Sequence, residues 1–420
     1  MKGLEFGHFG ISNVDWQETI DFARMRRERI ARTQMVMKKY GVAVAVLTTG
    51  YNVRYASGVQ ALAPLPQLRY TVVFAEHDPI IYEFGDVLQY NMAHAPWVKP
   101  ENWRYAECSL EGASGPEAIK EVAKRFASKI QKDMKEKGLE KEKLGVDAAD
   151  QASRQALKDL GIETVEMAAM MREARRIKTD DEVNCMRMAC TLAHAAFNSV
   201  FTSITPGTMG SVREIDVAAE ATRAVMKAGS DGQRRVGIIS GPRTFDVSHH
   251  DDSDRIIQAG DLMYVRACGV AYMGYLTCYY RSFIVGRKPN QKEKDFYKKL
   301  CNRIYSVIGE IKPGATTADA AKHWLPASTW GYEAEERVIL AEVGHGRGLA
   351  NYEEPVISRS FSLDHPQVFE PGMIIAVEAR EGEIGYGGVR MEEMVLVTET
   401  GNELLTTWPV DEITPVGVFF

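Results

Sequence analysis

The chain has 420 residues, 45% hydrophobic and 26% charged, with a net charge of −6, the balance of an ordinary soluble globular protein. That length allows two or three domains and a large core. The mild acidity argues against nucleic acid as a partner, because phosphate binding needs clustered Lys and Arg. The N-terminal MKGLEFGHFGISNVDW lacks a signal-peptide apolar core, and no apolar run approaches the ~20 residues that span a bilayer. A cytoplasmic protein with no membrane partner is expected. The six cysteines contain no CxxC, which fits a reducing compartment and buried thiols.

In chain order, TIDFARMRRERIARTQMVMKKYG reads as an amphipathic helix stopped by Gly41. VAVAVLTT, LRYTVVFAE and DPIIYEF read as strands, GPEAIKEVAKRFASKIQKDMKEKG as a solvated helix ending at Gly138, KLGVDA as a strand and SRQALKDLG as a helix. Such alternation predicts an α/β domain. A charged stretch then precedes Thr179 and Glu182, whose S/T-x-x-E spacing predicts a capping box opening a long helix. We set the domains at 1–172 and 173–420. In the second, FNSVFTSITPGT and IYSVIGEIKPGAT resemble each other, with Pro206 and Pro313 at matching places. This weak repeat predicts a pseudo-symmetric α+β domain.

The stretch from Asp261 to Gly286 predicts two strands around a turn at Gly269 to Gly274. After Asp261 the next acidic residue is Glu293, although 57 of 420 residues are Asp or Glu. Arg266, Cys268 and Cys278 occupy the hairpin instead.

Four stretches carry candidate chemistry. ISGPRTFDVSHHDDSDRIIQAGD places His249 and His250 on a loop, and a loop histidine is either an acid/base, with its pKa near neutrality, or a surface residue. In AEVGHGRGLANYEEP, glycines flank His345 and would admit a close backbone or ligand approach. Arg347 there could fork onto a carboxylate. PGMIIAVEAREGE and GYGGVRMEEMVLVTETG set Glu378 and Glu392 on strands. Such carboxylates either face solvent or need a metal, a cation or a substrate.

These stretches, in this order, resemble the creatinase/prolidase family, with its pita-bread fold, over about residues 170–415. NVRYASG resembles the N-terminal domain of the two-domain members, and RRIKTDDE, HHDDSDRIIQAGD, GHGRGL, VEAREGE and GVRMEEMVLVTETG resemble the catalytic domain. The resemblance implies an N-terminal α/β creatinase-type domain and a C-terminal pseudo-symmetric pita-bread domain. It also implies a homodimer acting on a small molecule. Metal-dependent members hold two divalent ions with Asp, Asp, His, Glu and Glu. Carried over, the last three are His345, Glu378 and Glu392. The second aspartate falls on Cys278 and the first on Arg266 or Ala267. Two close dications need several anionic oxygens, so the resemblance implies no dinuclear centre. If one ion binds, its donors would be His345, Glu378, Glu392 and Cys278; otherwise no cofactor is expected.

The chain therefore looks like the metal-free, creatinase-like branch: a hydrolase of a C–N bond in a small zwitterionic or amidino compound. His249 would be the acid/base, and Glu378 and Glu392 would hold a cationic group. Arg69 or Arg347 would clamp a carboxylate, and Tyr264, Cys278, Tyr280, His345 and Tyr352 would line the pocket. Arg266 either points inward, to pair with Glu378 or Glu392, or turns away. The alternatives are a lyase of an osmolyte such as dimethylsulfoniopropionate, a metal-dependent Xaa-Pro peptidase, and a non-catalytic binding protein.

Overall fold

The computed structural model describes residues 19–59, 69–85, 87–106, 115–232, 234–246, 251–338 and 342–418. The chain divides into two compact units, one of residues 21–175 and one formed chiefly by residues 176–420. Among the described residues, no helix is long and apolar enough to cross a membrane.

The first unit is a six-stranded mixed sheet with helices. Its strands are β1 (Val44–Leu47), β2 (Tyr70–Phe74), β3 (Ile80–Glu83), β4 (Trp103–Tyr105), β5 (Leu144–Val146) and β6 (Thr164–Glu166), in the order β4-β3-β2-β1-β5-β6. β1 runs antiparallel to β2 and parallel to β5. All four β1 residues are buried, as their uniformly apolar sequence requires. The helix Gly115–Glu136 lays Phe126, Ile130 and Met134, spaced by four, against Val44, Val46 and Val72 of the sheet. The helix Phe22–Lys39 is capped by the Asp21 carboxylate, which accepts from the Ala23 and Arg24 amides. NVRYASG lies on the helix Gly50–Ser57, and Gly58 ends it at φ 74°.

The second unit is a nine-stranded sheet with helices packed on it. Its strands are β7 (Gly237–Ser240), β8 (Leu262–Arg266), β11 (Tyr280–Val285), β12 (Glu342–Gly346), β13 (Glu353–Ile357), β14 (Ile374–Glu383), β15 (Gly387–Val397), β16 (Asn402–Leu404) and β17 (Thr414–Val416). The main path is β13-β12-β14-β15-β11-β8-β7, and β16 and β17 add to β15 and β11. A separate pair, β9 (Ala271–Tyr272) and β10 (Tyr275–Leu276), sits within the hairpin. The predicted turn is thus tighter than Gly269 to Gly274. Met273 and Gly274, both at positive φ, make it.

The repeat is structural. Thr179 and Glu182 form the predicted capping box at the start of the helix Asp180–Ser203. That helix turns at Ile204 into the helix Glu214–Lys227, and Gln291–Glu310 turns at Ile311 into the helix Thr317–Ala321. The residue before each second helix, Arg213 and Thr316, makes an isolated antiparallel bridge, to Ile256 and Val368 respectively. Each half has its own core. Phe197 and Val200 pack with Val265 and Phe283, and Leu300 and Ile304 pack with Val377 and Met391.

Strand pleating decides which side chains meet the helices. On β14 and β15 the odd-numbered Ile375, Val377, Ala379, Val389, Met391 and Val395 join the helix-packed core. The even-numbered Glu378, Arg380, Arg390 and Glu392 therefore share the opposite face.

Candidate active site

Cross-strand register lines up one row of this face. Arg266 is opposite Tyr280, Tyr280 opposite Glu392, and Glu392 opposite Glu378. One step along the sheet, His345 is opposite Ala376 and Ala376 opposite Met394, and the Cys278 amide lies 3.4 Å from the Met394 sulfur. Cys278, His345 and Glu392 converge there, each buried, with ligand atoms within 4.8 Å of one another.

The two facing glutamates differ sharply. Arg390, two residues before Glu392 and so on its face, donates from Nη2 to Glu378 Oε2 at 2.9 Å. Its guanidinium lies 5.0 Å from the Tyr280 ring centroid and 5.8 Å from that of Tyr264, and Tyr264 and Tyr280 stack on each other. Neither Glu392 oxygen has a hydrogen-bond partner among the described residues, and His345 Nε2 is 3.9 Å from Oε1. Burial, with Glu378 adding repulsion, pushes the Glu392 carboxyl well above its ordinary pKa. The expectation that Glu378 and Glu392 jointly hold a cation is corrected: Arg390 already neutralises Glu378.

His345 pairs through Nδ1 with the Gly346 carbonyl at 3.0 Å. As donor there, it leaves the Nε2 lone pair facing Glu392. Burial first, then Arg347, lowers its pKa to about 3, so the ring is neutral. Tyr352, 47% exposed, tilts over the buried ring at 4.3 Å between centroids. The flanking glycines serve packing rather than a ligand. A Cβ at Gly344 would come within 2.8 Å of Ile357, and one at Gly346 would overlap the Glu354 carbonyl.

Three arginines are placed differently from expectation. Arg266 turns to Asp251, Nη2 to Oδ1 at 2.7 Å, and not to either glutamate. Asp251 follows His249 and His250 by one or two positions. Both histidines, and with them the acid/base assignment, lie outside the described residues. Arg347 is buried, donating to the Thr277 carbonyl from Nε and Nη2 at 3.1 and 2.6 Å and to Asn351 Oδ1 at 2.6 Å. These acceptors occupy the fork that a substrate carboxylate would need. Arg69 is buried in the first unit and ion-paired to Glu83, which also accepts from Asn91. An internal partner thus takes the clamp charge.

Two residues escaped the sequence reading. Cys268 Sγ lies 2.6 Å from Cys278 Sγ and 3.5 Å from Arg347 Nη2. The hydrogen bond with Cys278, helped by Arg347, holds the Cys268 thiol below its ordinary pKa. Burial, with Cys268, pushes the Cys278 thiol well above it. The signal was one cysteine on each arm of the predicted hairpin; the tighter turn at Met273 and Gly274 is what sets them opposite. Arg390 was legible too, by parity with Glu392 along one strand.

The donor set does not fit a two-ion centre. Where the resemblance places two aspartates, this chain has Cys278 and either Arg266 or Ala267, and one of its two glutamates is tied to Arg390. Guanidiniums of Arg390 and Arg347 add positive charge, so four charges of cation would lack counter-ions. One ion fits better. Thiolate, neutral imidazole and carboxylate are the donors zinc prefers, although Glu378 does not join the expected four.

Known proteins resemble the chain in both units. The model of metallopeptidase family M24 matches residues 184–399, and that of the creatinase/prolidase N-terminal domain matches residues 29–177. An uncharacterized peptidase YqhT of Bacillus subtilis is 29% identical over 254 residues, 60% of this chain and 68% of that protein. A Xaa-Pro dipeptidase of Pyrococcus furiosus is 29% identical over 240 residues, 56% of this chain and 65% of that protein. Each match thus spans about two thirds of the relative. The solved structure of a Xaa-Pro dipeptidase from Bacillus anthracis shares the fold at a TM-score of 0.72 and 24% identity, covering 93% of this chain and all of that one.

Proposed function

The chain belongs to metallopeptidase family M24, and on that premise we propose a hydrolase that cleaves a C–N bond in a small zwitterionic or amidino compound without a metal ion. The observation that carries this reading is Glu392, a buried carboxylate with neither oxygen hydrogen-bonded among the described residues. Such a group costs several kcal/mol unless a cation meets it. Arg390 answers Glu378 and burial keeps Cys278 a neutral thiol, so one positive charge arriving at Glu392 would let its carboxyl give up the proton that burial makes it keep. A guanidinium or amidinium carries one.

In this reading the cationic end of the substrate lies on Glu392, and the His345 Nε2 lone pair accepts one of its N–H bonds. Tyr352, over His345, shields that contact from water. We assign His249 as the group that takes a proton from water as the oxygen attacks carbon. It then returns the proton to the nitrogen as the C–N bond breaks.

A second reading rests on a separate observation, the approach of Cys278, His345 and Glu392 within 4.8 Å. In a one-ion Xaa-Pro dipeptidase these three would hold the metal, which when bound supplies Lewis-acid activation of water. The ion's two charges would require Cys278 as thiolate beside ionised Glu392.

Metal analysis of the purified protein separates the two. Turnover of creatine, methylated guanidines, cyclic amidines, Xaa-Pro dipeptides and sulfonium osmolytes should be measured with and without chelator. Chelator-resistant hydrolysis of an amidino compound by metal-free protein is expected. Stoichiometric metal, with dipeptide cleavage lost on chelation, would establish the second reading. Elimination from a sulfonium compound would indicate a lyase, and binding without turnover a binding protein.

A further inference from the structure

We propose that Cys268 and Cys278 are a reversible oxidation site, a dithiol that a peroxide closes into a disulfide at the candidate active site, switching it off. That such closure stops catalysis rests on the reading above; that the disulfide forms does not.

Backbone pairing carries the first part. The Ala267 amide donates to the Tyr279 carbonyl at 2.9 Å and the Gly269 amide to the Thr277 carbonyl at 2.9 Å. Cys268 and Cys278, between those two pairs, are therefore a directly opposed, non-hydrogen-bonded couple. In such couples the Cα atoms lie ~4.5 Å apart, within the span of about 4.4–6.8 Å that a disulfide bridges. The sulfurs are 2.6 Å apart, so closure to about 2.05 Å needs no strand movement.

Access and charge select the attacking sulfur. Cys268, like Cys301, is half-buried, whereas Cys185, Cys190 and Cys278 are buried. Arg347 Nη2, 3.5 Å from Cys268 Sγ, favours a thiolate there. The Cys268 thiolate attacks one peroxide oxygen and the O–O bond breaks, giving a sulfenic acid and hydroxide, which leaves as water. The Cys278 sulfur then attacks Cys268 Sγ. The S–O bond breaks, and the departing hydroxide leaves as a second water with the Cys278 proton. Two thiols lose two electrons and the peroxide gains them.

Cys278 is also the sulfur beside Glu392 and His345. As a disulfide it has no thiol proton beside Glu392 and no thiolate to give an ion, so the site changes in either reading.

The test uses the full chain, reduced, freed of reductant under chelator and treated with hydrogen peroxide. Intact mass should fall by two hydrogens, a peptide map should show Cys268 joined to Cys278, and dithiothreitol should restore both thiols. Cys268→Ser should form no such link. Peroxide that leaves both thiols free, or over-oxidises Cys268 without a link, overturns the site. Turnover of whichever compound of the panel the protein cleaves should be lost with the link and return with reductant. A link that leaves turnover unchanged overturns the switch. If no compound is cleaved the functional reading fails, while the mass measurement still decides the dithiol.

Discussion

Glu392 and Glu393 are neighbours on β15, both buried, and Gln at each should shift stability in opposite directions. Pleating points Glu393 to the far face, where it accepts from Arg281 Nη2 at 2.8 and 2.9 Å, from Tyr305 at 3.2 Å and from Thr406. Glu393→Gln strands the Arg281 charge, 2% exposed, and should destabilise by about 3–5 kcal/mol. Glu392 has no such partner. Its folded-state pKa lies well above 4.5, so the folded chain keeps a proton that the unfolded chain releases. Stability is therefore lost as pH rises past 4.5, at about 1.4 kcal/mol per unit up to the folded value. The loss therefore grows with pH above 4.5. The amide of Gln and the protonated acid are both neutral, so this loss is what Glu392→Gln should recover. Urea unfolding in chelator, read on the transition of residues 176–420, measures both variants. The Glu392→Gln gain should vanish near pH 4.5. A Glu392→Gln variant as unstable as Glu393→Gln, or a gain that does not change with pH, refutes the assignment of Glu392 as a buried acid that no arginine pairs.

In the first unit, burial raises Asp133 from 3.8 to about 6, against the Tyr82 hydroxyl at 2.7 Å. Its folded value is the higher one, so stability falls as pH rises through that window. Asp133→Asn should abolish this slope, a difference of roughly 3 kcal/mol between acid and neutral pH in urea titrations. Lys178 and Glu353 form an ion pair at 2.7 Å with side chains 1% and 0% exposed. Lys178→Met should cost about 3–5 kcal/mol in chemical denaturation, and adding Glu353→Gln should restore part of it; equal effects of the single and double variants would count against a coupled pair. Gly346→Ala drives a methyl into the Glu354 carbonyl. It should lower thermal stability by roughly 1–3 kcal/mol and disturb the His345 ring; a well-folded variant with an unchanged histidine NMR signal would show that the strand can yield.

The sequence alone determined the architecture, because its signals are local. The Thr179–Glu182 capping box, the apolar run that buries all of β1 and the repeated helix-turn-helix with its turns at Ile204 and Ile311 each need only neighbouring residues. The lack of carboxylates between Asp261 and Glu293 was equally readable and already argued against a dinuclear centre. Tertiary structure alone decided which charges cancel. Glu378 and Glu392 look equivalent in the sequence. Only the β14–β15 register and the reach of Arg390 separate a neutralised carboxylate from one still seeking a cation. Arg266 met Asp251, Arg347 met the Thr277 carbonyl and Cys268 met Cys278 for the same reason. A buried polar group takes the partner that chain crossing brings within about 3 Å, and that partner is usually distant in sequence.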